Sequence, residues 1–291
     1  MKLAVSSYSF HQYTKAGKLT LQDLPAKAAE LGFAGIEYVD LPKEVTGEAR
    51  LALAAELGAL AKQAGLEMVA YTVGANLWQP DAAALRAEID RLKGEIDVAV
   101  ALGAPLLRHD LVWGLEASGS GRSFLSMMPD LVPSVREIAD YAAQRGVKTC
   151  SENHGRLMQD SYRMEELFYQ VDHKNYGLLC DIGNFGGADE DCAEAVSKLL
   201  PHICFVHAKD AFKRNGMMFD PGRGYNRTRG GHYRRSTIFG HGDVPSYQIL
   251  AAIKQSGYDG YVSLEFEGIE DTLMAIEIGS ENLKRMLASF S

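Results

Sequence analysis

Short runs of β-branched and apolar residues alternate with longer stretches of helical period from one end of the chain to the other. The runs predict strands at residues 3–8, 35–39, 67–72, 105–109, 147–152, 177–181, 203–207 and 260–266. Between them, apolar positions recurring every three or four residues predict helices such as 21–31, 48–64, 82–102, 129–144 and 246–255. Gly32, Gly65, Gly103, Gly146 and Gly257 each follow a helix and lead into a strand, a place where glycine adopts the left-handed cap at little cost. Strict alternation implies a parallel sheet, and eight strand–helix units close it into a (β/α)8 TIM barrel, expected as one domain over residues 1–291. An open doubly wound sheet is the alternative, but no G-x-G-x-x-G follows the first strand to support it.

Composition changes the picture in two ways. With 46% hydrophobic and 23% charged residues, the chain has the balance of a protein that buries a large core, which excludes disorder as its main state. A formal net charge of -8 argues against general affinity for nucleic acid, which comes from clustered Lys and Arg, so a small polar molecule is the expected partner. The amino-terminal MKLAVSSYSF enters a strand-like run without the longer apolar stretch of a secretion signal, and no run approaches the roughly 18 apolar residues that cross a bilayer. A cytoplasmic protein without a membrane partner is therefore expected. Cys150, Cys180, Cys192 and Cys204 have neither paired zinc-site spacing nor disulfide density and read as reduced core thiols, Cys150 sharing a strand face with Glu152.

Barrels of this kind gather their active sites at the carboxyl ends of the strands. The last four strands finish in Ser151-Glu152-Asn153-His154, Cys180-Asp181-Ile182-Gly183-Asn184, His207-Ala208-Lys209-Asp210 and Leu264-Glu265-Phe266-Glu267. Ionisable groups ending four apolar strands are costly to desolvate unless they pair or bind a cation. Three carboxylates and an imidazole converging there form a hard, mostly oxygen-lined site for one divalent metal, Mn²⁺ foremost, with Mg²⁺, Co²⁺ or Zn²⁺ able to substitute. On an octahedral ion such a set leaves two positions, which the adjacent carbonyl and hydroxyl oxygens of a sugar fill. Isolated salt bridges at the strand ends are the other reading.

Ser6-Ser7-Tyr8-Ser9-Phe10, Leu31-Gly32-Phe33-Ala34-Gly35-Ile36-Glu37 and the stretch from Gly257-Tyr258-Asp259-Gly260 to Ser263-Leu264-Glu265 give the chain a resemblance to the sugar phosphate isomerase/epimerase superfamily, the xylose-isomerase-like barrels, over nearly its whole length. That superfamily includes ketose 3-epimerases, hydroxypyruvate isomerase, inosose dehydratase and an apurinic endonuclease. The resemblance implies that Glu152, Asp181, His207 and Glu265 are metal ligands and that Glu152 and Glu265 form the acid/base pair. It implies an isomerase of carbohydrate metabolism: a metal-dependent epimerase or isomerase of a ketose or related keto-sugar, working by proton transfer through an enediolate that the metal stabilises. A dehydratase of the same fold, acting on an inosose, a 3-keto-glycoside or 3-dehydroshikimate, is the alternative, and an endonuclease-like phosphodiesterase stands third. One departure is Asn184, where the epimerases often carry a substrate-binding His; it counts against the multi-metal endonuclease branch as well.

His154, Lys209, Lys213, Trp113, His109 and Asn184 are the candidate substrate contacts, each with a plain alternative. His154 caps a loop equally well, Lys209 pairs with Asp210 or a nearby acid, and His109 satisfies itself in the core. Trp113 and Trp78 lie in loops on the active-site side, where flat rings stack on sugars or pack under a loop, and Tyr8 and Phe10 either close a wall or fill the core. From Lys213 to Arg235 the chain is long and Gly-rich, holding Lys213, Arg214, Arg223, Arg227, Arg229, Arg234 and Arg235 against Asp220. Such a segment attracts a phosphate or carboxylate, covers the mouth as a lid, or makes a subunit contact, with a dimer or tetramer left open. His241, in Gly240-His241-Gly242-Asp243, reads as structural.

Overall fold

The alternation of apolar runs and helical stretches is realised as a ring of strands inside a ring of helices. The structure, a computed structural model, describes residues 1–112 and 123–290. Strand β1 (Lys2–Ser6) is followed by α1 (His11–Lys15) and α2 (Leu24–Glu30), β2 (Gly35–Val39) by α3 (Gly47–Gln63), and β3 (Glu67–Val73) by α4 (Ala82–Leu102). Then come β4 (Leu106–His109) with α5 (Phe124–Gln144), β5 (Lys148–Glu152) with α6 (Ser161–Val171), and β6 (Tyr176–Asp181) with α7 (Cys192–Leu199). The last part runs β7 (Ile203–Ala208), β8 (Asp210–Arg214), β9 (Asn226–Arg227), β10 (Tyr233–Thr237), α8 (Ser246–Gln255), β11 (Tyr261–Leu264) and α9 (Thr272–Ala288). Strands β1 to β7 and β11 close into a barrel, every neighbouring pair parallel and in chain order, which is the expected TIM barrel. The five junction glycines all have positive φ, as their place after a helix requires.

Strand period two sorts side chains between lumen and helices. Ala4, Ala70, Leu106, Cys150, Leu179 and Phe205 fill the lower lumen as one apolar cluster. Two residues further along each strand the lumen turns polar, with Ser6, Thr72, Arg108, Glu152, Asp181 and His207 all buried. Polar chemistry therefore sits on an apolar floor, at the carboxyl end of the strands. Among the described residues no helix is long and apolar enough to cross a membrane.

Several elements depart from expectation. Strands β1 and β11 stop at Ser6 and Leu264, short of residues 8 and 266, because serine hydroxyls take over from the ladder. Ser9 Oγ donates to the Leu264 carbonyl at 3.0 Å and accepts from Phe266 N–H at 2.9 Å, while Ser7 Oγ accepts from Val39 N–H at 2.8 Å. Helix α5 starts at Phe124 and runs through Pro129, where the sequence predicted its start. An interior proline costs about 3 kcal/mol, but Phe124, Met127 and Met128 are buried on the stripe that continues through Leu131 and Val135. At about 1.5–3 kcal/mol for each large apolar side chain, their burial outweighs the proline.

The Arg-rich segment expected as a loop is instead a small sheet, β8–β10–β9, antiparallel, with Lys213 opposite Arg234 and Phe212 opposite Arg235. The segment's length and Gly content masked the strand-forming Phe212, Tyr233 and Thr237. Part of its charge lies on aromatic faces: Arg235 lies 5.2 Å from the Phe212 ring and Arg227 4.0 Å from the Tyr233 ring.

Candidate metal centre

Each donor is delivered by a different strand. Glu152 ends β5, Asp181 ends β6, His207 lies on β7 and Glu265 follows β11. All are buried, and one donor atom from each falls within 4.8 Å of the others. Several contacts lock this geometry. Asp181 Oδ1 accepts from Gly183 and Asn184 N–H at 2.8 and 3.1 Å, and the Asn153 amide clamps the Asp181 backbone, donating to its carbonyl and accepting from its N–H, both at 2.9 Å. His207 Nε2 stands 2.7 Å from Glu37 Oε1, which also accepts from Ser263 Oγ at 3.0 Å.

That arrangement turns His207 Nδ1 toward the donors. It makes no hydrogen bond to the described residues: Glu265 Oε2 stands 3.5 Å away and Glu152 Oε1 4.0 Å. A buried ring nitrogen aimed among carboxylates, its far side held by another carboxylate, is how a metal-binding histidine is oriented. The carboxylates Glu37, Asp110, Glu152, Asp181, Glu265 and Glu267 also outnumber the fixed cations Arg108 and Lys209 in this space. Donor type, orphaned nitrogen and surplus negative charge all fit a hard divalent ion. Replacing Glu37 by Gln is expected to weaken the metal about 10–100-fold, read by competition against a calibrated chelator; unchanged affinity would mean that Glu37 does not orient His207.

Two buried cations tie the carboxylates. Arg108 Nη2 lies 2.7 Å from both Glu152 Oε2 and Asp110 Oδ1, and Asn184 Nδ2 donates to Glu152 Oε1 at 2.9 Å. Lys209 Nζ lies 2.6 Å from Glu265 Oε2, 3.0 Å from Asp181 Oδ2 and 3.2 Å from Glu267 Oε2. Burial works against the Lys209 charge, yet Asp181, Glu265 and Glu267 hold its pKa well above the ordinary lysine range. Burial alone would raise Glu265, but Lys209 and His207 keep it well below the usual carboxylate range. At Asp181 burial prevails and the pKa is raised in spite of Lys209. A cation bound there would add to the same attraction and favour the ionised forms of Asp181 and Glu265.

The donors lie under a cavity of about 390 Å³ lined by Glu152, Glu265, Arg108, Lys209, Asp110, His154, Glu267 and Tyr8 among others. His154 Nδ1 is 2.9 Å from Asp110 Oδ1, and this contact raises the His154 pKa although burial opposes it. Lys209 and Asn184 thus touch members of the candidate donor cluster, and His154 lines the same cavity through Asp110. Asp210 does not pair with Lys209; its carboxylate accepts N–H groups of Ala211, Gly240, Gly242 and Val244. Lys213 points elsewhere, to Asp189 Oδ1 at 3.0 Å. His109 faces the helices, 6.2 Å from the Tyr176 ring, with burial pushing its pKa down to about 4. Trp78 packs against the core beside α4, Phe10 is buried in it, His241 is exposed, and Trp113 lies outside the described residues.

Sequence reasoning passed over Arg108, Asp110 and Glu37. For Glu37 the signal was a lone acid inside the apolar run Gly35–Val39, with nothing to name its partner. For Arg108 there was none, since only its pairing with Cys150 on the lumen face turns His109 outward.

A family model described as a xylose isomerase-like TIM barrel matches residues 25–286. Inosose dehydratase of Clostridium perfringens (strain 13 / Type A) is 26% identical over 145 residues, covering 47% of this chain and 46% of that protein, so the chain spans about half the length of that curated relative. Among solved structures, the D-psicose 3-epimerase of Clostridium cellulolyticum H10 with D-tagatose superposes with a TM-score of 0.77 at 18% identity over 100% of both chains. The IolI protein with a zinc atom superposes with a TM-score of 0.76 at 17% identity, covering 100% of this chain and 99% of the other. At such identities the two structures bear on the fold alone.

Proposed function

Because this chain belongs to the xylose isomerase-like TIM barrel family, whose members include epimerases, isomerases and dehydratases, we propose that it is a divalent-metal-dependent epimerase or isomerase of a keto-sugar. The observation that carries the reading is the meeting of Glu152, Asp181, His207 and Glu265 around one point, the single group of that kind among the described residues. A divalent ion held there supplies Lewis-acid stabilisation for negative charge developing on the substrate oxygens.

The protein's own residues handle the proton. Glu152 and Glu265 come from strands separated by β6 and β7 around the ring, and so address a substrate from different sides. Lys209, together with His207, keeps Glu265 ionised, the state in which a carboxylate takes a proton from carbon, and Arg108 pairs with Glu152. Glu265 takes the proton from one face. Delivery of a proton from Glu152, in its acid form, to the opposite face of the same carbon gives epimerisation, whereas return of the abstracted proton to the neighbouring carbon gives isomerisation. Asn184 and Arg108 fix Glu152 at both oxygens, so the acid is oriented before substrate arrives. With Mn²⁺ present, D-fructose, D-tagatose or D-psicose in deuterated water is expected to gain label at the carbon next to the carbonyl. No exchange across a broad ketose panel, with metal bound, would overturn the reading.

A second reading is a dehydratase, and the Asp110–His154 pair at the cavity favours it. A third ionisable group there supplies the acid that expels a hydroxyl β to the carbonyl, after one of the glutamates has removed the proton. The dehydratase relative points the same way. Appearance of an enone chromophore with an inosose or 3-dehydroshikimate would select this reading.

A further inference from the structure

Beside the metal cavity lies a second one of about 540 Å³, reached past a wall the two share: His154, Lys209 and Glu267 line both. Its far side is built from the loop after β5 and from the small sheet, and carries Arg156, Arg227, Arg229 and Arg234, while Glu267 is the acid of the lining. In a chain of net charge -8 that is a local reversal of sign.

What holds these guanidinium groups in place decides what they are available for. Arg229 is neutralised by Asp160 Oδ2 at 2.7 Å. Arg227 and Arg234 are held by uncharged acceptors. Arg227 donates to the Gly231 carbonyl at 2.8 Å and to Tyr233 Oη, and stacks on the Tyr233 ring; Arg234 donates to the Gly183 carbonyl at 3.1 Å. Arg156 stands at the exposed rim. Among the described residues none of these three makes an ion pair. A guanidinium positioned by carbonyls and a phenol keeps its full charge and its remaining N–H donors, and the ordering cost of the side chain is already met. Thr228, Ser236 and Asn226 add further polar lining.

We propose that this annex receives an anionic end of the substrate, a phosphate or a carboxylate, while the carbonyl end occupies the metal cavity. The proposal rests on the keto-sugar reading of the metal cavity and adds the substrate class. An extended sugar runs from the donors past Lys209 and His154, and its terminal oxyanion meets Arg227 and Arg234, with Arg156 at the entrance.

The test uses ligands that differ at one end. Titration calorimetry with the Mn²⁺-loaded full chain compares D-fructose, D-fructose 6-phosphate and D-fructuronate. At least one anionic ligand is expected to bind about tenfold or more tighter than D-fructose, the scale of one or two charge-assisted hydrogen bonds; which of the two does so identifies phosphate or carboxylate. R227Q and R234Q are each expected to lower that preference about tenfold, with D-fructose binding unchanged. R227K retains more of it than R227Q, and R156Q, at an exposed position, reports on the annex if the inner variants lose their fold. Equal binding of the three ligands within about twofold, or a preference that survives R227Q/R234Q, would overturn the proposal. An anion preference without deuterium exchange would instead leave the annex standing and remove the proposed reaction.

Discussion

Glu152→Gln and Glu265→Gln are each expected to lower exchange and turnover by about 10²–10⁴-fold, the contribution of a positioned acid or base. Gln preserves the shape and one oxygen donor, so the substitution removes proton transfer more selectively than Ala. Because both residues are also expected ligands, the rate is read at saturating Mn²⁺ with bound metal measured on the same sample. A variant that holds its metal and loses the deuterium exchange isolates the acid/base role. Either variant keeping its rate within about threefold of the wild type would remove that residue from the pair.

The second large effect concerns Lys209. Its ammonium touches Glu265, Asp181 and Glu267 at 2.6 to 3.2 Å in a buried site, so Lys209→Met leaves three acids facing one another without their counter-ion. Breaking a buried pair from one side costs about 3–5 kcal/mol. That loss is expected in the denaturant midpoint of the metal-free protein. Saturating Mn²⁺ restores a large part of it, since a divalent ion supplies the missing positive charge and stabilises the folded state by mass action. A midpoint that shifts equally with and without metal would mean that Lys209 and the ion do not share the carboxylates.

The order of the barrel elements was legible in the sequence because it follows from local rules: period two, period 3.6 and glycine after helices. The polar strand ends were legible because charge at the end of an apolar run is conspicuous, and the family resemblance singled out Glu152, Asp181, His207 and Glu265 among them. Arg108 and His109 were not separable by that rule. They are adjacent and equally polar, and only the pairing register, Arg108 opposite Cys150, assigns one to the lumen and the other to the helices. Glu37 was hidden for the opposite reason, since its role is to hold His207 from a strand distant in the chain. The β8–β10–β9 sheet was missed because the length and Gly content of the segment suggested a loop while Phe212, Tyr233 and Thr237 supplied strand propensity.

Asp210 has a larger consequence than its distance from the reacting atoms suggests. One carboxylate gathers the N–H groups of Ala211 at the outgoing foot of the small sheet and of Gly240, Gly242 and Val244 at the returning foot. The excursion is thereby stapled shut at its base, immediately after Lys209. These bonds hold the base of the excursion without drawing on anything between the feet. If the annex receives the substrate as proposed, the barrel separates two tasks: the ring of strands carries the chemistry, and the small sheet chooses the molecule on which it is performed.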